Sequence, residues 1–199
     1  DYYLTFTAPS GYFFTIKDVS GNTFDLTDSD AGPSGMTAVT TLTAGEQDYS
    51  WDCGLYQKGT IGDYVWEDLD GDGVQDTGEP GIEGVIVNLY KWGGAYLGST
   101  STDSDGLYSF TVAPGDYYVR FNPGSPYSYS PRDVGNDATD SDPDATGKTA
   151  QITITSGETE LKWDAGLIRD ASICYYVWED YNGDGVQDMG EVDLSGIHV

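Results

Sequence analysis

Residues 68–79 read Asp-Leu-Asp-Gly-Asp-Gly-Val-Gln-Asp-Thr-Gly-Glu, which satisfies the calcium-loop pattern D-x-[DN]-x-[DN]-G-x5-E at every position. Calcium takes about six to eight hard oxygen ligands in a flexible shell, and this spacing supplies them in order. Asp68, Asp70 and Asp72 offer carboxylates from positions 1, 3 and 5. Gly73 at position 6 permits the sharp turn, and Val74 at position 7 offers its backbone carbonyl. Asp76 at position 9 binds directly or through a water, and Glu79 at position 12 closes the shell with both oxygens. The pattern recurs at an offset of 112 residues as Asp180, Asn182, Asp184, Gly185, Val186, Asp188 and Glu191. The bland reading of one match is an acidic, glycine-rich loop that stays solvated. Two full matches point to a cation, because five carboxylates in twelve residues repel one another without one.

Other acidic clusters carry weaker signals. Asp103-Ser104-Asp105-Gly106 reads first as a hairpin turn, with Asp103 and Asp105 as secondary metal candidates. Asp133, Asp137, Asp140, Asp142 and Asp144 crowd one loop, paralleled by Asp18, Asp25, Asp28 and Asp30. A solvated acidic loop is one reading. A second or third calcium site drawing on Asp140, Asp142 and Asp144, or on Asp28 and Asp30, is the other.

Nucleophilic or acid–base chemistry finds no constellation. The one histidine is His198, Cys53 and Cys174 have no histidine nearby in sequence, and carboxylate pairs are too abundant to single one out. The two cysteines flank junctions about one domain apart. A bridge within one extended chain therefore conflicts with the ~7 Å limit on Cα separation. Unpaired thiols are the simple reading, and an interchain bridge between staggered neighbours is the sharper one.

The elements around the motif look like strands. Tyr64-Val65-Trp66 before the loop is short and β-prone, and Pro80-Gly81 after it blocks an exiting helix. Val85, Val87 and Leu89 alternate with Gly84, Ile86 and Asn88. The same period of two runs through Tyr108–Val112, Tyr117–Phe121 and Ile152–Thr155. Gly- and Pro-containing pairs punctuate these runs, giving seven or eight expected strands and no helix in a unit of about 110 residues.

The unit repeats. Trp51-Asp52-Cys53-Gly54-Leu55 returns as Trp163-Asp164-Ala165-Gly166-Leu167, and Asp28-Ser29-Asp30 as Asp140-Ser141-Asp142, both at an offset of 112. Asp1-Tyr2-Tyr3 returns as Asp116-Tyr117-Tyr118 at 115. The chain thus divides into the C-terminal part of a first β-sandwich repeat (1–57), a complete repeat (61–168) and the N-terminal part of a third (173–199). Short linkers favour a semi-rigid string. Trp51, Trp66, Trp163 and Trp178 sit at strand positions and are expected to fill cores, whereas Trp92 beside Gly93-Gly94 is expected at a turn.

The 199 residues carry 8 Lys+Arg against 34 Asp+Glu, a net charge of −26. Such acidity disfavours nucleic acid and anionic membranes as partners. It does not signal disorder here, since 14% of residues are aromatic. More than half of the carboxylates fall in the loops and turns named above, so much of the charge reads as metal ligation. No apolar run approaches the ~18–20 residues that span a membrane.

The run Gly62-Asp63-Tyr64-Val65-Trp66-Glu67-Asp68, the loop after it, and Glu79-Pro80-Gly81-Ile82-Glu83-Gly84-Val85-Ile86-Val87-Asn88-Leu89 resemble the B-repeat domains of the serine-aspartate-repeat bacterial surface adhesins. Thr102–Phe110 and Pro114–Val119 fit the same family. The resemblance implies tandem prealbumin-like (Cna B-type), Ig-like β-sandwiches, Ca2+ held by the 68–79 and 180–191 loops, and an extracellular stalk. The leading expectation is a non-catalytic, calcium-stabilised stalk or filament module of a cell-surface or secreted protein. Its partners would be neighbouring repeats of the same chain or a homopolymer. The alternatives are an adhesive module for glycan or host protein and an accessory domain of a secreted enzyme.

Overall fold

The computed structural model describes residues 1–18, 27–173 and 176–197. Cys174 and His198, and Asp25 among the acidic candidates, lie outside the described residues. The chain forms two compact units, 1–169 and 170–199. No helix among the described residues is long and apolar enough to cross a membrane.

The complete repeat is all-β, with nine strands where the alternation suggests seven or eight. They are β3 (Gly59–Glu67), β4 (Ile86–Lys91), β5 (Tyr96–Ser101), β6 (Leu107–Val112), β7 (Gly115–Asn122), β8 (Tyr127–Tyr129), β9 (Ile152–Ile154), β10 (Thr159–Leu161) and β11 (Ala165–Arg169). The excess comes from β8 and β10, three-residue strands too short to show alternation. One sheet centres on β3. Antiparallel β6 lies along one side of it; on the other side β10 and β11 follow in parallel, with β8 beyond β11. The second sheet runs β5-β4-β7-β9, all antiparallel.

The inward sets are those the period-two pattern selects. Ile61 and Val65 of β3, Val87 and Leu89 of β4, Val119 and Phe121 of β7, and Leu167 of β11 form one buried cluster. Tyr108 meets Phe121 edge to face, with ring centroids 5.4 Å apart. Trp66 is fully buried and Trp163 packs against the cluster, whereas Trp51 and Trp178 are only half-buried.

One expected turn differs. Asp103–Gly106 does not close a hairpin, because β5 pairs with β4 and β6 with β3. It carries the chain from one sheet to the other. Local turn chemistry is the same in both cases, so the sequence could not tell them apart.

Residues 1–57 repeat part of this architecture. β1 (Tyr12–Phe14) pairs with β2 (Leu55–Gln57) in the register that β8 and β11 use. Gln57 then donates its N–H to Ser156 Oγ (2.8 Å) and accepts one from Gly157 (3.1 Å). The chain therefore enters β3 already tied to the complete repeat. Among its described residues, unit 170–199 carries the bridge Trp178 to Asp193, with Glu179 N–H on Val192 O and Leu194 N–H on Val177 O.

Candidate metal centre

Strand β3 delivers Asp68 to the mouth of the loop, where its N–H bonds the carbonyl of Leu167 on β11 (3.0 Å). The side chain, 2% exposed, folds back to accept the N–H groups of Gly71 (2.6 Å) and Gly73 (2.9 Å). Asp72 accepts from Val74, and Glu79 accepts from Leu69 and Asp76, so position 12 closes onto both ends of the loop. Gly71 and Gly73 adopt φ of 79° and 83°, a region that costs other residues ~1–2 kcal/mol. The exit doubles back on β3: Glu67 N–H reaches Pro80 O, and Ile82 N–H reaches Val65 O. The sequence needs no helix on either side because β3 and this return hold the ends.

The loop rests on a neighbouring segment, part of the 133–144 run whose sequence suggests a solvated acidic loop or a further calcium site. Val74 and Asp140 form an antiparallel bridge made by Gln75 N–H on Thr139 O (2.7 Å) and Ser141 N–H on Gly73 O (3.0 Å). Neither bond uses the Val74 carbonyl, the position-7 ligand. A Cβ on Gly73 would run into the carbonyl oxygen of Pro131, so only glycine allows this close approach.

Carboxylate oxygens of Asp68, Asp70 and Glu79 lie within 4.8 Å of one another, as do those of Asp70, Asp72 and Asp76. Asp70 belongs to both groups and links them. None of the ion pairs among the described residues reaches them. A hard, all-oxygen donor set of this charge fits a divalent cation of calcium type.

The 180–191 loop has the same internal wiring. Asp180 accepts from Gly183 (2.6 Å) and Gly185 (2.8 Å), Asp184 from Val186, and Glu191 from Tyr181 and Asp188. The Gly185 N–H, with smaller help from its neighbours, holds the Asp180 carboxyl below the usual range. Asn182 at position 3 donates its amide to Asp184 and Asp188, which ties those acids without a cation.

Among the described residues, neither the acids of the 180–191 loop nor the remaining acidic candidates are gathered into any such group. Asp103 accepts the N–H groups of Asp105 and Leu107 as a turn former. Asp133 pairs with Arg132 and Asp137 with Lys162. Asp144 caps a turn through Thr146 and Lys148, and the Thr146 hydroxyl draws its carboxyl down. Asp140 lies in the bridge to the loop. Asp28 keeps a buried Oδ1 without a hydrogen-bond partner, and Asp30 accepts from Asp52.

Asp142 belongs to a different constellation. Its N–H donates to Asp164 O (3.0 Å) while its Oδ2 accepts the Asp164 N–H (2.6 Å). Asp164 Oδ1 accepts from Tyr64, and its Oδ2 is buried without a partner. Burial pushes both carboxyls up to about 8, against the backbone bonds that pull the other way. The Asp30–Asp52 exchange repeats this clasp. The joint recurrence of Asp-Ser-Asp and Trp-Asp-x-Gly at one offset was the available signal.

Residues 59–167 match the family model described as the SdrD B-like domain. The chain belongs to that family. Among curated relatives, a serine-aspartate repeat-containing protein F of Staphylococcus epidermidis is 35% identical over 205 residues, covering 100% of this chain and 12% of its own length. A serine-aspartate repeat-containing protein D of Staphylococcus aureus strain Newman is 37% identical over 203 residues, covering 100% and 15%. The chain therefore spans less than a sixth of these relatives. Among solved structures, GBS52, the minor pilin of Streptococcus agalactiae, aligns with a TM-score of 0.41 and 14% identity over 73% of this chain and 68% of that one. At that score the likeness carries no argument. Within this SdrD B-like domain the 68–79 loop joins β3 to β4, and so the two sheets.

Proposed function

We propose that the chain is a calcium-stabilised, non-catalytic structural module of an extracellular, cell-surface protein. In this reading tandem repeats form a stiff stalk or filament element. The observation that carries it is the gathering of Asp68, Asp70 and Glu79, and of Asp70, Asp72 and Asp76, into two carboxylate groups that share Asp70, with no ion pair to them among the described residues. Metal that binds the folded loop alone stabilises it by mass action. The cation would also tie the β3 end to the return at Pro80–Ile82. A non-catalytic role agrees with Cys53, whose thiol burial pushes up, away from the reactive thiolate. The test is a thermal melt with calcium and with chelator, alongside terbium luminescence sensitised by Trp66. A melt unmoved by chelator, with no terbium signal, overturns the proposal.

A second reading, an adhesive module for glycan, is favoured by one surface. On the outer face of the β5-β4-β7-β9 sheet, Tyr90 stacks on Tyr118 (4.9 Å) and meets Tyr96 edge-on, and Trp92 adjoins Tyr118. Lys148 lies over both Tyr118 and Trp92. Trp92 is 45% exposed, and an exposed ring of this kind can stack on a sugar. Glycan-array binding lost in Trp92→Ala supports this reading; no binding by the wild-type chain excludes it.

A further inference from the structure

The strand register arranges the outer face of the β5-β4-β7-β9 sheet into rows that cross the strands. Tyr96, Tyr90 and Tyr118 are paired neighbours on β5, β4 and β7 and form an aromatic row. About 6–7 Å along the strands, Ser99, Asn88 and Arg120 form a polar row. Its next member is Lys148, which bridges Arg120. The Lys148 ammonium leans back to lie 4.2 Å from the Tyr118 ring centroid and 4.9 Å from that of Trp92. The face thus sets rings beside hydrogen-bonding groups and gathers its positive charge at the β7 side. All of these residues belong to the complete repeat.

The two cations stand out in so acidic a chain. Of 8 Lys+Arg against 34 Asp+Glu, Lys17, Arg132, Lys162 and Arg169 each pair with a carboxylate. Arg120 and Lys148 make no ion pair among the described residues. Arg120 is exposed, and its hydrogen bond to Thr146 O (2.9 Å) uses only Nε. The acids nearby are engaged elsewhere. Asp116, the one carboxylate at the outward positions of these strands, accepts the Thr153 hydroxyl (2.8 Å). Asp144 Oδ1 accepts the N–H groups of Thr146 and Lys148. With a Debye length of about 8 Å at physiological ionic strength, these local groups outweigh the net charge of the chain.

We propose that this face binds a carboxylated sugar chain, with sugar rings against Trp92 and the tyrosine row and a carboxylate held by Lys148 and Arg120. The proposal rests on the glycan reading of this face and adds the charge of the ligand. A pyranose presents an apolar C–H face and a rim of hydroxyls, which match the aromatic and polar rows. Arg120 keeps its two terminal nitrogens for a carboxylate, and such a charge-assisted bond is stronger than a neutral one. Lys148, already held over two rings, loses little freedom on binding.

Calorimetric titration of the full chain in calcium tests this. The probes are a hyaluronan hexasaccharide against its methyl ester, and sialyllactose against lactose. At least one acidic sugar should bind roughly tenfold or more tightly than its uncharged counterpart. Which of the two does so identifies a uronate or a sialate as the carboxylate read. Lys148→Gln and Arg120→Gln should each remove most of that preference, and Lys148→Arg should keep it, with the melting temperature unchanged. Equal affinity for acidic and neutral sugars overturns the proposal and leaves glycan binding standing, whereas binding of neither overturns both. An acid preference that survives both Gln substitutions overturns it too. So does hexaglutamate bound as tightly as the acidic sugar, because charge alone would then be read. The comparison of acid with ester uses the wild-type chain, so it decides even where a substitution unfolds the protein.

Discussion

The loops 68–79 and 180–191 have the same spacing, the same glycine conformations and nearly the same hydrogen bonds, but different surroundings. Gly71 and Gly73 have φ of 79° and 83°, and Gly183 and Gly185 have 72° and 78°. In both, the first Asp accepts two N–H groups and the last Glu accepts two more. The first loop nevertheless rests on the 139–141 segment with Asp68 buried, while the second is exposed over most of its length. Loop shape therefore comes from local chemistry. What the loop holds together comes from the segment beneath it.

The largest test is of the calcium proposed for both loops. With calcium a thousandfold above Kd, binding contributes about 4 kcal/mol. Chelation should then lower the melting temperature of the complete repeat by roughly 15–30 °C. Calorimetry should show a much smaller change for the transition of unit 170–199, whose loop ties down less structure.

Substitution at position 6 separates shape from support. Gly185→Ala should cost about 1–2 kcal/mol, the price of a left-handed residue. Gly73→Ala carries that strain and also the clash with the Pro131 carbonyl, together about 2–5 kcal/mol by urea unfolding. Equal costs at the two sites would show that the support at 131 contributes nothing.

Position 1 should follow the same order with smaller values. Asp68→Ala orphans the Gly71 and Gly73 donors in a buried setting, worth about 2–3 kcal/mol. Asp180→Ala exposes its donors to water and should cost less than about 1 kcal/mol. Hydrogen exchange at Gly73 and Gly185 reads the two losses separately.

The mildest change makes the second loop more like the first. Asn182→Asp replaces an amide that ties Asp184 and Asp188 with a fifth carboxylate. Calcium affinity at this loop should rise by about tenfold or less, an effect near 1 kcal/mol, seen by terbium titration. An affinity that falls would mean the amide positions the ligands better than charge attracts the ion.

The period-two runs and the offset of 112 made much of this legible in advance. Val87, Leu89, Val119 and Phe121 point inward as their alternation requires, because a strand has no other way to sort its two faces. The turn at Asp103–Gly106 was legible as a turn but not as a crossing between sheets, since its bonds are local while its destination is not. The crowded acids at 133–144 were legible as a cluster of charge. Their separate fates, ion pair, turn cap, bridge and buried clasp, depend on residues as distant as Lys162 and Asp164.

By itself, then, the sequence determined the strands, the repeat and the geometry of both loops. Each of these follows from steric limits and hydrogen bonds within a few residues. Tertiary structure alone decided that Asp68 is buried, that Gly73 abuts Pro131, and that Asp142 and Asp164 face each other out of water. Those outcomes require segments from 22 to 99 residues apart to meet, and short-range pattern carries no term for where a distant backbone will lie.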